Sequence, residues 1–391
     1  MYQLAGRPSR DTAHELFTRI AAQDPVHWDP YTKTWLVAER EAAVQVLGDQ
    51  AFSSRADRLI HPDLRHDGPG PALAEMLTRQ LMFLDGQAHA RLRPVIDQVL
   101  SARRVRGLAD EIGALTERAC KAADAAGELD AVRDVAAPVP LAVITRLLGL
   151  PAIEAQDLWA MSDAYVDVIT GIDRTVDTQT LSKLDSFLSY ALDVVRWKRR
   201  IPAEDGVSEL VARADALGGY TDLDLAVNLI MLISAGHQTT TGLIAGAVAG
   251  WCGSPTGTSG GPTRRTGSHV EAELAYVSPS QFIARTATED RRVSGRMIEA
   301  GQSVLVLLAA VNWMASRRAS RSGKASPVVH LAFGHGAHRC PGARLARLEA
   351  GIVLDLLHRA KPAFAAGDVR WSPNLTLPCP VSLPVRVSDS T

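Results

Sequence analysis

Six positions between Phe333 and Gly342 are of types that together build a metal-binding thiolate: Phe333, Gly334, Gly336, His338, Cys340 and Gly342. A cysteine ligand acts as the thiolate, and its negative charge must be stabilised. Glycines let the backbone fold tightly around the sulfur and aim N–H groups at it. A helix predicted to start near Pro341 would turn its positive end toward the same atom. His338 and Arg339 add positive charge that lowers the thiol pKa. The other cysteines, Cys120, Cys252 and Cys379, have neither metal-finger spacing nor the pattern of a disulfide framework. The plain alternative for Cys340 is a buried structural thiol after a Gly-rich turn.

Three further groups could do chemistry. Ala235-Gly236-His237-Gln238-Thr239-Thr240 interrupts a long apolar run with small residues and hydroxyls. Such a break fits a local widening where a ligand approaches the backbone. It fits equally well threonines bonding back to the preceding turn. His89 and Arg93 stand four apart, on one face of a predicted helix. Arg285 lies in a strand-like segment. Taken singly, each of these basic residues reads as an ordinary surface or capping group.

The elements that must position these groups are mostly helical. VHWDP and TWLVAE suit two short strands joined by a turn at Tyr31-Thr32-Lys33, and REAAVQVLGD suits a helix ending near Gly48. Residues 53–80 are rich in Pro, Gly and Asp and read as irregular. Helical spacing returns at 108–126, 139–150 and 203–217. The run from Leu223 to Trp251 is too polar at 237–241 for a bilayer span, so it reads as a helix buried in a large core. FIARTAT and SVLVLLAAV read as strands. With 391 residues, 46% hydrophobic, and no linker before residue 250, one domain over 1–391 is expected. A net charge of −1 gives no reason to expect nucleic acid or an anionic membrane as partner. The opening segment reads as neither signal peptide nor anchor, so a soluble cytoplasmic protein is expected.

The order Phe-Gly-x-Gly-x-His-x-Cys-x-Gly resembles the haem-binding loop of the cytochrome P450 family, in which a cysteine thiolate holds the iron. Similarity extends from VHWDP to VSLPVRV. It implies a mainly α, triangular haem-thiolate body with a small β region, haem b as cofactor and Cys340 as the axial ligand. Phe333, Gly334, His338 and Gly342 would shape the cofactor loop, and His89, Arg93, Arg285 and His338 would meet the two propionates. Ala235 and Gly236 match positions that admit dioxygen, and Thr239 matches the proton-delivering threonine. Gln238 stands where that family has an acid. The implied reaction is monooxygenation of a hydrophobic or aromatic natural-product intermediate, of polyketide or peptide type, free or carrier-bound. Electrons would come from a ferredoxin and its NAD(P)H-dependent reductase, docked on Arg103, Arg104, Arg106, Arg344 and Arg347. The expected pocket walls are residues 55–84, 158–176, 232–239, 278–282 and 376–381. Two other readings remain: a haem-binding docking module that no longer turns over, and a haem-free helical binding protein.

The chain also departs from the family. A buried Glu-x-x-Arg pair normally braces the cysteine loop, and Ala272 and Ala275 occupy its positions here. The windows 252–268 and 313–324 turn abruptly to Gly, Ser, Pro and Arg, then recover. Real co-divergence and compensated reading-frame shifts in a GC-rich gene both fit this pattern. Irregular backbone is expected in both windows, with the cysteine loop still formed.

Overall fold

The computed structural model describes residues 10–55, 75–126, 129–170, 176–251, 270–321, 328–359, 362–363 and 369–387. Helix α1 (Arg10–Gln23) leads into β1 (Val26–Asp29) and β2 (Thr34–Val37), then α2 (Arg40–Gly48) and β3 (Phe52–Ser53). Next come α3 (Gly86–Val99), α4 (Ala102–Arg106), α5 (Ala109–Ala126), β4 (Leu129–Asp130), α6 (Pro138–Leu148) and α7 (Ala155–Thr170). They are followed by α8 (Thr178–Arg200), α9 (Gly206–Leu217) and α10 (Asp222–Trp251). The last third carries α11 (Val270–Val277), β5 (Ile283–Ala287), β6 (Arg291–Val293), β7 (Arg296–Ile298), β8 (Ser303–Val306), α12 (Leu308–Arg321) and α13 (Ala343–Arg359). The expected mainly α class with a small β region is what forms. No helix among the described residues is long and apolar enough to cross a membrane.

The chain divides into two compact units that alternate along the sequence. One comprises Met1–Ser53, Ala109–Pro140 and Gln238–Thr391, the other Ser54–Leu108 and Leu141–His237. In the first unit a mixed sheet runs in the order β1-β2-β8-β5-β3, with only β2 and β8 parallel. Val26, Val37, Val46, Phe52, Val304 and Val306 are all buried in its core. The second unit is helical. Its helices start on carboxylate caps: Asp177 accepts from Thr180 N (2.7 Å) at α8, and Asp205 accepts from Ser208 N (2.9 Å) at α9. Lys198, Arg199 and Arg200 at the last turn of α8 suit its negative end.

Two expectations fail in the last third. SVLVLLAAV is a strand only through Val306. Leu307 N then bonds to Val37 O (2.8 Å), and the chain turns into α12. That helix continues through Arg321, so the window 313–324 is regular wherever it is described. Ala, Met and Arg are good helix formers, and packing supplies the rest. Trp313 lies 6.0 Å from Tyr276 and donates to Thr18 (3.1 Å), which ties α12 to α11 and α1. The window 252–268, with Cys252, falls outside the described residues.

Candidate active site

The cysteine loop is a tight turn wedged against the end of α2. Gly334 (φ 68°) and Gly336 (φ 73°) both take left-handed backbone. A Cβ on Gly336 would lie 2.5 Å from Leu47 O, so no other residue fits there without a shift. Gly334 N donates to Leu331 O (2.8 Å) and Cys340 N to Phe333 O (2.9 Å), closing the turn. Cys340 is exposed, and α13 begins at Ala343, two residues later than the position of Pro341 suggested. Gly342 lies against the sulfur; a Cβ there would stand 3.7 Å from Sγ. His338 is half-buried at the end of the short 3-10 turn Gly336–His338. A Cβ on Gly334 would stand 3.6 Å from the Ile283 side chain on β5. Arg285, two residues along the same strand, shares that face. It is buried (8%) and donates to Ala284 O (2.8 Å). Cys340, Phe333, Gly334, Gly342, His338 and Arg285 therefore gather on one side of the first unit.

The loop is braced, but not by the residues expected. Ala272 and Ala275 carry no charge, yet Glu271 on α11 accepts from Arg347 of α13 through both oxygens (2.6 and 3.0 Å). It also meets His330 Nε2 (2.9 Å). The Arg347 guanidinium lies 4.4 Å from the centre of the Phe333 ring, whose carbonyl holds Cys340 N. The Arg347 hydrogen bond, with help from His330, holds the Glu271 carboxyl below the usual range. Burial pushes the His330 pKa down, against the pull of Glu271. The ring is therefore neutral near pH 7, and the contact is a hydrogen bond rather than an ion pair. His330 Nδ1 faces Ala332 N (3.1 Å), which assigns the proton to Nε2. Buried Asn312 on α12 adds a second tie: it accepts from Leu331 N (2.6 Å) and donates to Ser278 (2.9 Å). Glu271, His330, Asn312 and Arg347 were not read as a brace from the sequence. Glu271 sits one position before the expected acid, and its arginine lies 76 residues on.

The polar break in α10 is where that helix becomes accessible. Residues 225–234 and 240–248 are all buried, whereas Ala235 is exposed and Gly236, Gln238 and Thr239 are half-buried. Positions 235, 238 and 239 share one helical face, so they form a stripe on an otherwise covered rod. The helix is α throughout. A Cβ on Gly236 would come within 2.7 Å of Ile144, so here the glycine serves the close approach of α6. His237 is buried (0%) and turned to Ser162 (2.7 Å) and Trp159 (4.8 Å between rings) on α7.

The remaining basic residues are placed as follows. His89, buried at 5%, and half-buried Arg93 stand four apart on α3 in the second unit, with Arg93 paired to Asp97 (2.8 Å). Of the arginines expected to meet a redox partner, Arg103, Arg106 and Arg344 are exposed. Arg104 is committed to Glu209 (3.1 Å) and Arg347 to Glu271, which removes both from that role.

The donor set fits haem. Among the described residues no three His, Cys, Asp or Glu side chains converge to hold an ion. Cys340 offers one soft, exposed donor at the start of a helix, with His338, Arg339 and Arg285 nearby in the fold or sequence. A single protein ligand suits a metal that arrives with a macrocycle, and the basic groups suit that macrocycle's carboxylates.

Comparison with known proteins agrees with this geometry. The cytochrome P450 family model matches residues 274–359, which span the brace, the loop and α13. The vitamin D(3) 25-hydroxylase of Pseudonocardia autotrophica is 31% identical over 366 residues, covering 90% of this chain and 87% of that protein. The cytochrome P450 monooxygenase PikC of Streptomyces venezuelae is 30% identical over 388 residues, 95% and 90% of the two chains. Among solved structures, CalO2 superposes with a TM-score of 0.85 at 25% identity, covering 98% of each chain. P450BioI, solved with a hexadecenoic-acid-ligated acyl carrier protein, shares the fold at a TM-score of 0.81 and 24% identity, over 97% of this chain and 99% of that one. Alignments of this length, anchored on the loop that presents Cys340, leave one reading: the chain belongs to the cytochrome P450 family and is a monooxygenase, an oxidoreductase.

Proposed function

We propose that this monooxygenase oxidises a hydrophobic or aromatic natural-product intermediate of polyketide or peptide type, free or tethered to a carrier protein. The observation that carries the reading is the accessible stripe at Ala235, Gln238 and Thr239 on a helix buried to either side. A substrate reaching it meets a methyl group, one amide and one hydroxyl, which suits an apolar molecule. The mycinamicin IV hydroxylase/epoxidase of Micromonospora griseorubida, 30% identical over 378 residues, supports the substrate class. Cys340 would hold the iron of haem b, while Arg285, His338, His89 and Arg93 would take the propionates. When bound, the haem supplies activation of dioxygen for insertion of one oxygen atom into a C–H bond. The chain's own task is to hold the substrate against the stripe, keep bulk water out and bring protons to it. The Thr239 hydroxyl can pass a proton on. The Gln238 amide can orient a neighbour but has no acidic proton to give, so ordered water must recharge Thr239. Electrons would come from a ferredoxin and its NAD(P)H-dependent reductase in the cytoplasm.

The test is a binding-spectrum screen of haem-loaded protein against polyketide and peptide intermediates, free and carrier-bound. It is followed by turnover with ferredoxin, reductase and NAD(P)H. A product heavier by one oxygen atom is expected from at least one binder. If no member of the panel both binds and yields product, the substrate class is wrong. Gln238 favours a second reading, a haem protein that binds without turning over; oxygen and NAD(P)H consumption coupled to product excludes it.

A further inference from the structure

In the second unit, the backbone at 79–83 is held by buried side chains. Gln80 and Asn228 are fully buried (0% each), so every polar atom of the two amides must find a partner. Asn228 Oδ1, on α10, accepts from Leu81 N (2.8 Å). Its Nδ2 donates to Arg79 O (3.1 Å) and Asp224 O (2.8 Å). Gln80 Nε2 donates to Val227 O (3.0 Å), and Gln80 Oε1 accepts from the Tyr165 hydroxyl of α7 (2.8 Å). Arg79 adds an ion pair with Asp224 (2.7 Å). Burial pushes the Tyr165 pKa up, which keeps the phenol a donor.

This staple has one outward consequence. Leu81 (4%) and Phe83 (6%) are buried, whereas Met82 between them is 39% exposed, its sulfur 3.7 Å from the Tyr165 hydroxyl. The same helix α7 is clamped to α10 a second time, by Ser162 on His237 (2.7 Å). Asn228 and Ala235 lie seven residues apart, so they share a face of α10 about 10 Å apart along its axis. Asn228 points at residues 79–81, and the exposed methyl of Ala235 looks to the same side. Met82 is thereby delivered to the Ala235 end of the accessible stripe.

We propose that Gln80, Tyr165 and Asn228 are positioning residues that hold Met82 as a fixed wall beside Ala235, and that this wall limits the size of what can stand against the stripe. The inference rests on the family assignment and is independent of the natural-product reading. An apolar contact would let Met82 slide, whereas fully satisfied buried amides allow one register.

The test uses haem-loaded protein and two nitrogen ligands of iron, imidazole and 4-phenylimidazole, titrated by the shift of the haem absorption band. Imidazole needs only the iron; the phenyl ring needs the space beside the stripe. Met82→Trp is expected to weaken 4-phenylimidazole about tenfold and to leave imidazole within about twofold. Adding Tyr165→Phe releases the staple, lets the new tryptophan swing aside and cuts that discrimination to about threefold or less. A merely structural staple would lower the melting temperature and leave the ratio of the two affinities at its Met82→Trp value. Met82 is not the wall if Met82→Trp affects both ligands equally or neither. The staple does not position it if the double variant keeps the full discrimination. Should the double variant fail to bind imidazole, Arg79→Ala, at the more exposed end of the network, carries the same comparison.

Discussion

Gln238 and Thr239 sit side by side on the accessible face of α10, and only one of them can hand on a proton. Thr239→Ala should raise the peroxide released per NAD(P)H consumed several-fold, while Gln238→Glu should speed turnover by restoring an acid. Unchanged peroxide in both variants would mean that protons reach the site by another route. A second residue, Glu349 on α13, is fully buried, and neither carboxyl oxygen has a partner among the described residues. Burial raises its pKa to about 8 from 4.5. The folded state then keeps a proton that the unfolded chain has lost, so stability falls as pH rises from 4.5 toward 8. Glu349→Gln should remove that slope, a gain on the order of 3 kcal/mol across the window, read as a melting temperature that diverges from wild type toward pH 8. Parallel melting curves in the two proteins would contradict it. Cys340 and its glycines were legible because their types and spacing are local. Glu349 was not, because nothing in a sequence says that a carboxylate on an amphipathic helix faces inward.

At the scale of elements, the brace joining α11 to α13 replaces a pair that the sequence lacks. Glu271 titrates below the ordinary carboxylate range, so its bonds stabilise the fold above about pH 4.5 and are lost as pH falls through its folded value. Neutral His330 adds to this, since the unfolded chain takes up its proton first, below about pH 6.5. Glu271→Gln should lower the melting temperature at pH 7, and the gap from wild type should close by pH 4. Equal melting temperatures at pH 7 would show that Glu271 braces nothing. Because Glu271 is 41% exposed, solvent screens the pair and the loss should be modest. The wedge between the cysteine loop and α2 should matter more. Gly336→Ala forces a Cβ into Leu47 O at a left-handed backbone position, at about 2–4 kcal/mol. Reduced haem content per chain is the expected readout, and full haem loading would refute the wedge. Helix α12 shows why propensity misleads here: Ser and Arg at 316–318 suggested a loop, but Trp313 and Asn312 are locked into neighbours, and the helix follows them.

For the whole molecule, the fold class could be read because one long apolar run, a strand pair and the cysteine loop occur in a recognisable order. The two compact units could not. Their boundaries fall at 53, 108, 140 and 237, the last inside α10, so no change of composition marks them. The relatives align over nine-tenths of the chain, which makes the thiolate loop the anchor of the entire account. The most direct measurement is the absorption spectrum of the reduced protein under carbon monoxide, for wild type and Cys340→Ala. Thiolate ligation predicts a strongly red-shifted Soret band in the wild type and its loss in the variant. The same red-shifted band in Cys340→Ala would contradict Cys340 as the ligand, and with it the site.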